Sequence, residues 1–421
     1  MDPAHPIPSW SLARKLGFRC AFLYWLLYAL PFPLQHLPWT GWIVGPFVSG
    51  QSALVLWSAR HVLRIEGEIP TGPSGSGDTT LDFVQVFCTL VLGLLGALLW
   101  SILDRRRASY ARLADWLCTY VRFVLATTLI TYGAYKVIPS QFPAPALDRL
   151  AQPFGEASPM GLLWTFMGAS APYQIFSGAG ELLGGVLLFQ RRTAVLGALV
   201  AAGVMTQVVM LNFAYDTPVK LYSAHLLVMA LFLLLPHAWN LFGQFVLGRP
   251  ATALGCARLF RRPALHRGAL VLRTLFLVYF IWTSLSTSYD GYRSYAVPPP
   301  SPFDGAWHVV AYEPEEGLDP GARWTELVVG SSTRIGVTHA SGAYERLQLA
   351  LGLEQDFTLT HRGDPEWKAE LAYEIPSPER MSWSGTLDGR PVAIDFERRP
   401  ARDYLLQTRG FHWINEVPFN R

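Results

Sequence analysis

The chain has 421 residues, of which 51% are hydrophobic, 13% aromatic and only 15% charged, with a formal charge of +3. That balance is too apolar for a soluble enzyme, and the few basic residues sit in short loops beside apolar segments, which excludes a nucleic-acid-binding surface. Cys20, Cys88, Cys118 and Cys256 lie in or beside apolar segments and form no C-x-x-C, so neither a disulfide framework nor a redox dithiol is expected.

Residues 1–13 are Pro-rich and read as disordered, and residues 14–290 read as a transmembrane domain. A first helix from about Lys15 to Leu30 ends at Pro31 and Pro33, because proline removes a donor and clashes with the preceding turn. No small-residue cleavage site follows it, so it is expected to be a retained anchor. The stretch Trp42 to Leu63 is interrupted by Gly45, Pro46 and Gly50 and reads as an interfacial helix from about Ser52. A Gly/Ser loop, Thr71 to Asp78, follows, with Asp78, Thr79 and Thr80 placed to cap the next helix. Further helices are predicted over about Leu81–Leu103, Leu113–Val137, Pro172–Phe189, Thr193–Phe213, Pro218–Leu235 and Ala269–Ser286. Each is near the ~20 residues that cross a hydrocarbon core.

Arginines and lysines crowd before the first helix, after Leu103, at Gln190-Arg191-Arg192, and at Arg249, Arg258, Arg261, Arg262 and Arg267, while the alternate loops are poor in them. With seven crossings this puts the N-terminus in the cytoplasm and the C-terminal part outside. A Pro-rich linker, 291–303, then leads to residues 304–421, where short alternating runs separated by turns predict an antiparallel small barrel or sandwich. The fold class expected is thus an all-α polytopic membrane bundle followed by an all-β domain.

Charged and amide side chains inside segments fit for lipid are expensive and mark candidate sites. Glu181 is the foremost, with about ten uncharged residues on either side. The predicted orientation gathers Lys136, Asn212, Asp216, Lys220, Gln141 and Asp78 toward the outer side, with Tyr132 one turn from Lys136, so a polar pocket with Glu181 at its floor is expected. Lys136 is the expected partner of Glu181. Arg122, ~21 Å away along the same helix, is expected to satisfy a carbonyl or reach a lipid phosphate. His225 lies roughly 140° around its helix from Lys220, so the two do not share one small site. Gln207 and Asn212 read more readily as interhelical hydrogen-bond partners than as ligands, and a buried Glu–Lys pair can also simply fix helix register. No metal-ligand cluster, phosphate loop or catalytic triad rises above chance spacing.

The segments RFVLATTLITYGAYKVI, GAGELLGGVLLFQRRTAVLGAL and MLNFAYDTPVKLYSAHLLVMALFLLL resemble the DoxX-like membrane proteins of bacteria over about Arg122 to Leu235. The resemblance implies a four-helix core over about 113–237, a bacterial cytoplasmic membrane and, for some members, association with redox or quinone-linked complexes. It points to Lys136, Glu181 and Asn212 as a shared polar set. Two functions follow as expectations: a quinone-interacting accessory of a membrane redox system, with a partner protein handling electrons, or a lipid- or solute-binding module whose β domain captures ligand or partner. The aromatic and polar ending RGFHWINEVPFNR is expected to dock back through Arg409, His412, Trp413 and Glu416.

Overall fold

The computed structural model describes residues 9–72, 74–250, 263–296, 301–313, 319–331, 333–361, 363–400 and 404–420. The expectations for residues 1–8, Cys256, Arg258, Arg261, Arg262 and 297–300 fall outside them. The chain divides into two compact units, residues 1–137 with 176–286, and residues 138–175 with 287–421.

The first unit is helical. Helix α1 (Leu12–Ala29) starts earlier than expected, because the Ser11 side chain accepts a hydrogen bond from the Arg14 N–H and so begins the helix inside the supposed disordered region. Helix α2 (Gly41–His61) also starts early and runs through Pro46. Proline there removes a single donor in the second turn, and the aliphatic run beyond it carries the helix. Helix α3 (Thr80–Leu103) begins at a capping box, in which the Thr79 hydroxyl accepts from the Asp82 N–H and the Asp82 carboxylate accepts from the Thr79 N–H. Helix α4 (Ala111–Val137) follows. Arg19 of α1 is buried and donates to Tyr110, Ser101 and the Asp104 carbonyl, tying α1 to the α3–α4 connection.

The segment between α4 and the next long helix carries two short ones, α5 (Leu147–Leu150) and α6 (Pro159–Ala169). Helix α7 (Ala171–Phe189) bears Glu181. Helices α8 (Ala194–Ala214), α9 (Lys220–Leu234), α10 (Ala238–Phe245) and α11 (Pro263–Gly291) complete the helical part. The main core of the first unit gathers Trp25 of α1, Leu125 and Leu129 of α4, Leu188 and Phe189 of α7, Met205 of α8, Met229 of α9 and Phe280 of α11. Among the described residues, six helices are long and apolar enough to cross a membrane. Helix α7 is not one of the six, because Gln174, Glu181 and four glycines dilute its 19 residues.

In the second unit, strands β1 (Gly305–Glu313), β2 (Trp324–Ser331), β3 (Arg334–His339), β4 (Tyr344–Leu351), β5 (Asp356–His361), β6 (Asp364–Ser377), β7 (Arg380–Leu387) and β8 (Arg390–Arg398) form a closed antiparallel barrel in simple sequential order. Closure comes from β1 pairing with β8. That resolves the expected barrel or sandwich in favour of the barrel. Inward positions are filled by Trp307, Trp324, Trp383, Phe357, Phe396, Leu327 and Val337, all at most 2% exposed, so side chains occupy the interior. After β8 the chain forms the helical turn α12 (Leu405–Thr408).

Two expected boundaries move. The linker is shorter than 291–303, since α11 reaches Gly291, a wider π turn covers Tyr292–Ala296, and Phe303 is already fully buried in the barrel core. Residues 138–175, assigned from sequence to the membrane domain, belong to the barrel's unit. They are fastened there by Asp148, which is fully buried and receives the Arg346 guanidinium through Nε at 3.0 Å and through Nη2, while the Tyr344 hydroxyl donates to the Asp148 carbonyl. Gly330 admits this contact, because a Cβ there would lie 2.5 Å from the Leu147 nitrogen.

Candidate functional site

Glycines bring the Glu181 helix against α4. A Cβ on Gly133 would meet the Leu182 nitrogen at 2.7 Å, one on Gly178 the Lys136 Cβ at 2.5 Å, and one on Gly185 the Ala126 carbonyl oxygen at 2.8 Å. Backbone therefore rests on backbone, the small-residue contact that helices use in lipid. On the other side of α7, Gly180 and Gly184 face Val204 and Ala201 of α8. Across the α4–α7 seam, Lys136 Nζ donates to both carboxylate oxygens of Glu181 at 2.9 Å. The two side chains are 8% and 2% exposed. Lys136 Nζ also lies 5.7 Å from the centre of the Tyr132 ring. The expected Glu181–Lys136–Tyr132 cluster forms, and its carboxylate is satisfied by its lysine within packed helices.

The other expected members are not gathered round it. Asn212 is buried, and its Nδ2 donates to the Ser223 hydroxyl at 3.0 Å, joining α8 to α9. Lys220 pairs with Asp216 at 2.7 Å and lies 3.7 Å from Asp78. Asp78 caps α9 rather than α3, because its two oxygens accept from the backbone N–H groups of Lys220 at 2.9 Å and Leu221 at 2.8 Å. Asp216 is exposed. Gln207 is exposed on α8, and Gln141 belongs to the second unit, so neither joins the cluster. Arg122 is buried with its guanidinium 5.3 Å from the Phe123 ring centre, rather than extended to the surface. The expected single pocket thus separates into a closed ion pair and a clasp at the α9 N-terminus. Short-range charge pairing and capping satisfied these groups locally.

A groove of about 420 Å³ opens elsewhere on this unit, lined from α1 by Cys20, Tyr24 and Trp25, from α3 by Leu90, Gly93 and Leu94, and from α9 by His225 and Val228. Its polar element is one pair of side chains. His225 Nδ1 lies 2.7 Å from the Leu221 carbonyl oxygen, which can only accept, so this nitrogen carries the proton. Nε2 of the neutral ring is then the acceptor for the Tyr24 hydroxyl at 2.7 Å. Tyr28 stacks on the imidazole at 4.4 Å and 4°, fixing its plane. Gly93 of α3 faces the Tyr24 backbone, where a Cβ would sit at ordinary contact distance, 3.5 Å from the Tyr24 nitrogen. The result is an apolar slot with one oriented hydroxyl–imidazole pair, the composition of sites that hold apolar ligands by a few polar contacts. Sequence reasoning treated His225 as secondary and left Tyr24 and Trp25 aside. The only sequence signal was the Tyr24, Tyr28 spacing of one helical turn.

In the second unit the chain's ending does not dock as expected. Arg409 Nη2 donates to Asn415 Oδ1 at 2.6 Å and His412 Nδ1 lies 3.3 Å from the Gly410 carbonyl, but Trp413 is 90% exposed and Glu416 is exposed. Docking is made one turn earlier, where Gln407 Nε2 donates to the Pro145 carbonyl at 3.1 Å. On the barrel, His339, Glu345 and His361 meet: His339 Nε2 is 3.0 Å and His361 Nε2 is 3.6 Å from the Glu345 carboxylate. Because His339 Nδ1 also faces the Ala322 carbonyl at 2.9 Å, both ring nitrogens point at acceptors. The hydrogen bond to Glu345 accordingly raises the His339 pKa. Among the described residues no group of three His, Cys, Asp or Glu side chains could hold a metal ion.

Over 115 residues the chain is 36% identical to the "Uncharacterized protein YwoB" of Bacillus subtilis (strain 168), a stretch that is 27% of this chain and 71% of that protein. No protein-family model matches the chain. No solved structure matches it.

Proposed function

We propose that this chain, which belongs to the family of the Bacillus subtilis protein YwoB, is a quinone-interacting component of a bacterial membrane redox system. The reading puts its N-terminus in the cytoplasm, α7 among the crossings, and its barrel outside. The observation that carries it is the Tyr24–His225 pair at the wall of the apolar groove. A quinone headgroup is a flat ring with carbonyl oxygens, on an apolar chain. The Tyr24 hydroxyl can turn from Nε2 to donate to a carbonyl, and Nε2 can accept from a hydroquinone hydroxyl. Tyr24 and Trp25, which line the groove, supply ring faces against which such a headgroup packs.

The Lys136–Glu181 pair serves a different purpose in this account. Saturated by its own lysine, Glu181 fixes the register of α7 on α4, while ligand exchange occurs at the groove. The resemblance to DoxX-like proteins supports the redox association, and electrons would enter or leave through a partner protein. Capture of the ligand inside the barrel is disfavoured, because aromatic side chains fill that interior.

Photolabelling with an azido-quinone in native membranes tests the reading. The label is expected on the peptides of α1 and α9 that carry Tyr24 and His225, with competition by unlabelled quinone and not by phospholipid. Labelling spread evenly over the helices, or competed equally by phospholipid, would overturn it.

A further inference from the structure

The ending Gly410 to Phe419 turns its large apolar side chains outward. Phe411, Trp413, Ile414 and Val417 are 78%, 90%, 77% and 72% exposed. Four such residues within seven positions exceed the scattered apolar exposure of ordinary surfaces. They are nonetheless held by an internal frame. Arg409 donates to Asn415 Oδ1 at 2.6 Å and lies 4.0 Å from the Phe419 ring centre, Asn415 Nδ2 donates to the His412 carbonyl at 3.2 Å, and Phe411 and Trp413 meet edge to face at 5.0 Å. The local polar groups thus bond among themselves, and the apolar tips stand free of them.

We infer that this ending is a wedge that inserts Phe411, Trp413, Ile414 and Val417 into the headgroup region of the bilayer that the chain itself spans. Three observations choose a lipid surface over a protein. The wedge is rooted by the Gln407 bond to Pro145, and only residues 138–144 separate Pro145 from Val137, the end of a helix able to cross a membrane. Seven extended residues reach about 25 Å at most, so chain length alone limits how far the root can stray from that helix. Tryptophan favours the interface, where an apolar ring and a polar edge are both accommodated. Within residues 409–419, Arg409 and Glu416 cancel, so the wedge suits a neutral headgroup layer and needs no acidic partner patch. The same balance makes insertion insensitive to anionic lipid.

The test uses the full chain in nanodiscs, with its native cysteines replaced and a nitroxide attached at Trp413→Cys, Val417→Cys or Leu353→Cys in turn. Leu353 is fully exposed on the barrel and serves as the aqueous reference. At positions 413 and 417 the label is expected to collide severalfold more with oxygen, and severalfold less with a water-soluble nickel chelate, than at 353. The same values are expected in zwitterionic discs and in discs with anionic lipid. Nickel accessibility equal to that at position 353 would overturn the inference. Shielding from both oxygen and nickel would overturn it too, by showing that protein covers the wedge.

Discussion

Replacing Lys136 by methionine strands the Glu181 carboxylate where it is 2% exposed, after removing the ammonium that both its oxygens meet at 2.9 Å. With unit charges ~4 Å apart and an effective dielectric of ~20, the attraction lost is about 4 kcal/mol. Breaking one side of a buried pair costs about 3–5 kcal/mol by experience with other proteins, which agrees. Glu181→Leu alone should cost a similar amount, because the ammonium is then the stranded charge. The double replacement Lys136→Met, Glu181→Leu removes both charges and keeps side-chain volume, so it should fall within about 1 kcal/mol of the parent. Reversible unfolding in bicelles with increasing denaturing detergent gives all four corners of the cycle, and with them the coupling energy. A Lys136→Met loss under about 0.5 kcal/mol, or a double variant as unstable as the sum of the singles, would refute the claim that the pair is a closed structural unit.

Two further outcomes follow from the barrel's unit. The His339 pKa is raised by its hydrogen bond to Glu345, so the stability it adds is fully present below the unfolded value of about 6.5 and is lost as pH rises through the higher folded value. An NMR titration of His339 should show a midpoint above about 6.5 that falls in Glu345→Gln, and an unchanged midpoint would contradict the pairing. Asp148→Asn leaves the buried end of the Arg346 fork without its countercharge and should cost about 3 kcal/mol, read as faster proteolysis within residues 138–175 of the full chain. Digestion at the parent's rate would show that the segment is held by other contacts.

Much of this architecture was legible in the sequence, because helices and strands advertise themselves by period and length. The same holds for Glu181 and Lys136, whose charges stand out against apolar surroundings and which do meet. The groove was not legible. Tyr24 and His225 are 201 positions apart, and an aromatic residue in an apolar helix looks the same whether it fills a core or lines a slot. Asp148 was missed for the opposite reason, since an aspartate in a loop reads as solvated, and only the barrel wall shows that it is buried. Asp78 was recognised as a cap, but the helix it caps is distant in sequence, and proximity along the chain suggested the wrong one. For Gln207 and the chain's ending, polarity and aromatic density marked unusual residues without saying which way they face.

The central claim is that the Tyr24–His225 groove holds a quinone headgroup. Calorimetric titration of a short-chain quinone into the purified full chain in nanodiscs measures it. One saturable site is expected in the parent and in Glu181→Gln, with Tyr24→Phe weakening it by about tenfold, the ~1.4 kcal/mol of one hydrogen bond, and His225→Leu weakening it at least as much. Absence of saturable binding in the parent, or binding that Tyr24→Phe and His225→Leu leave unchanged, would contradict the account.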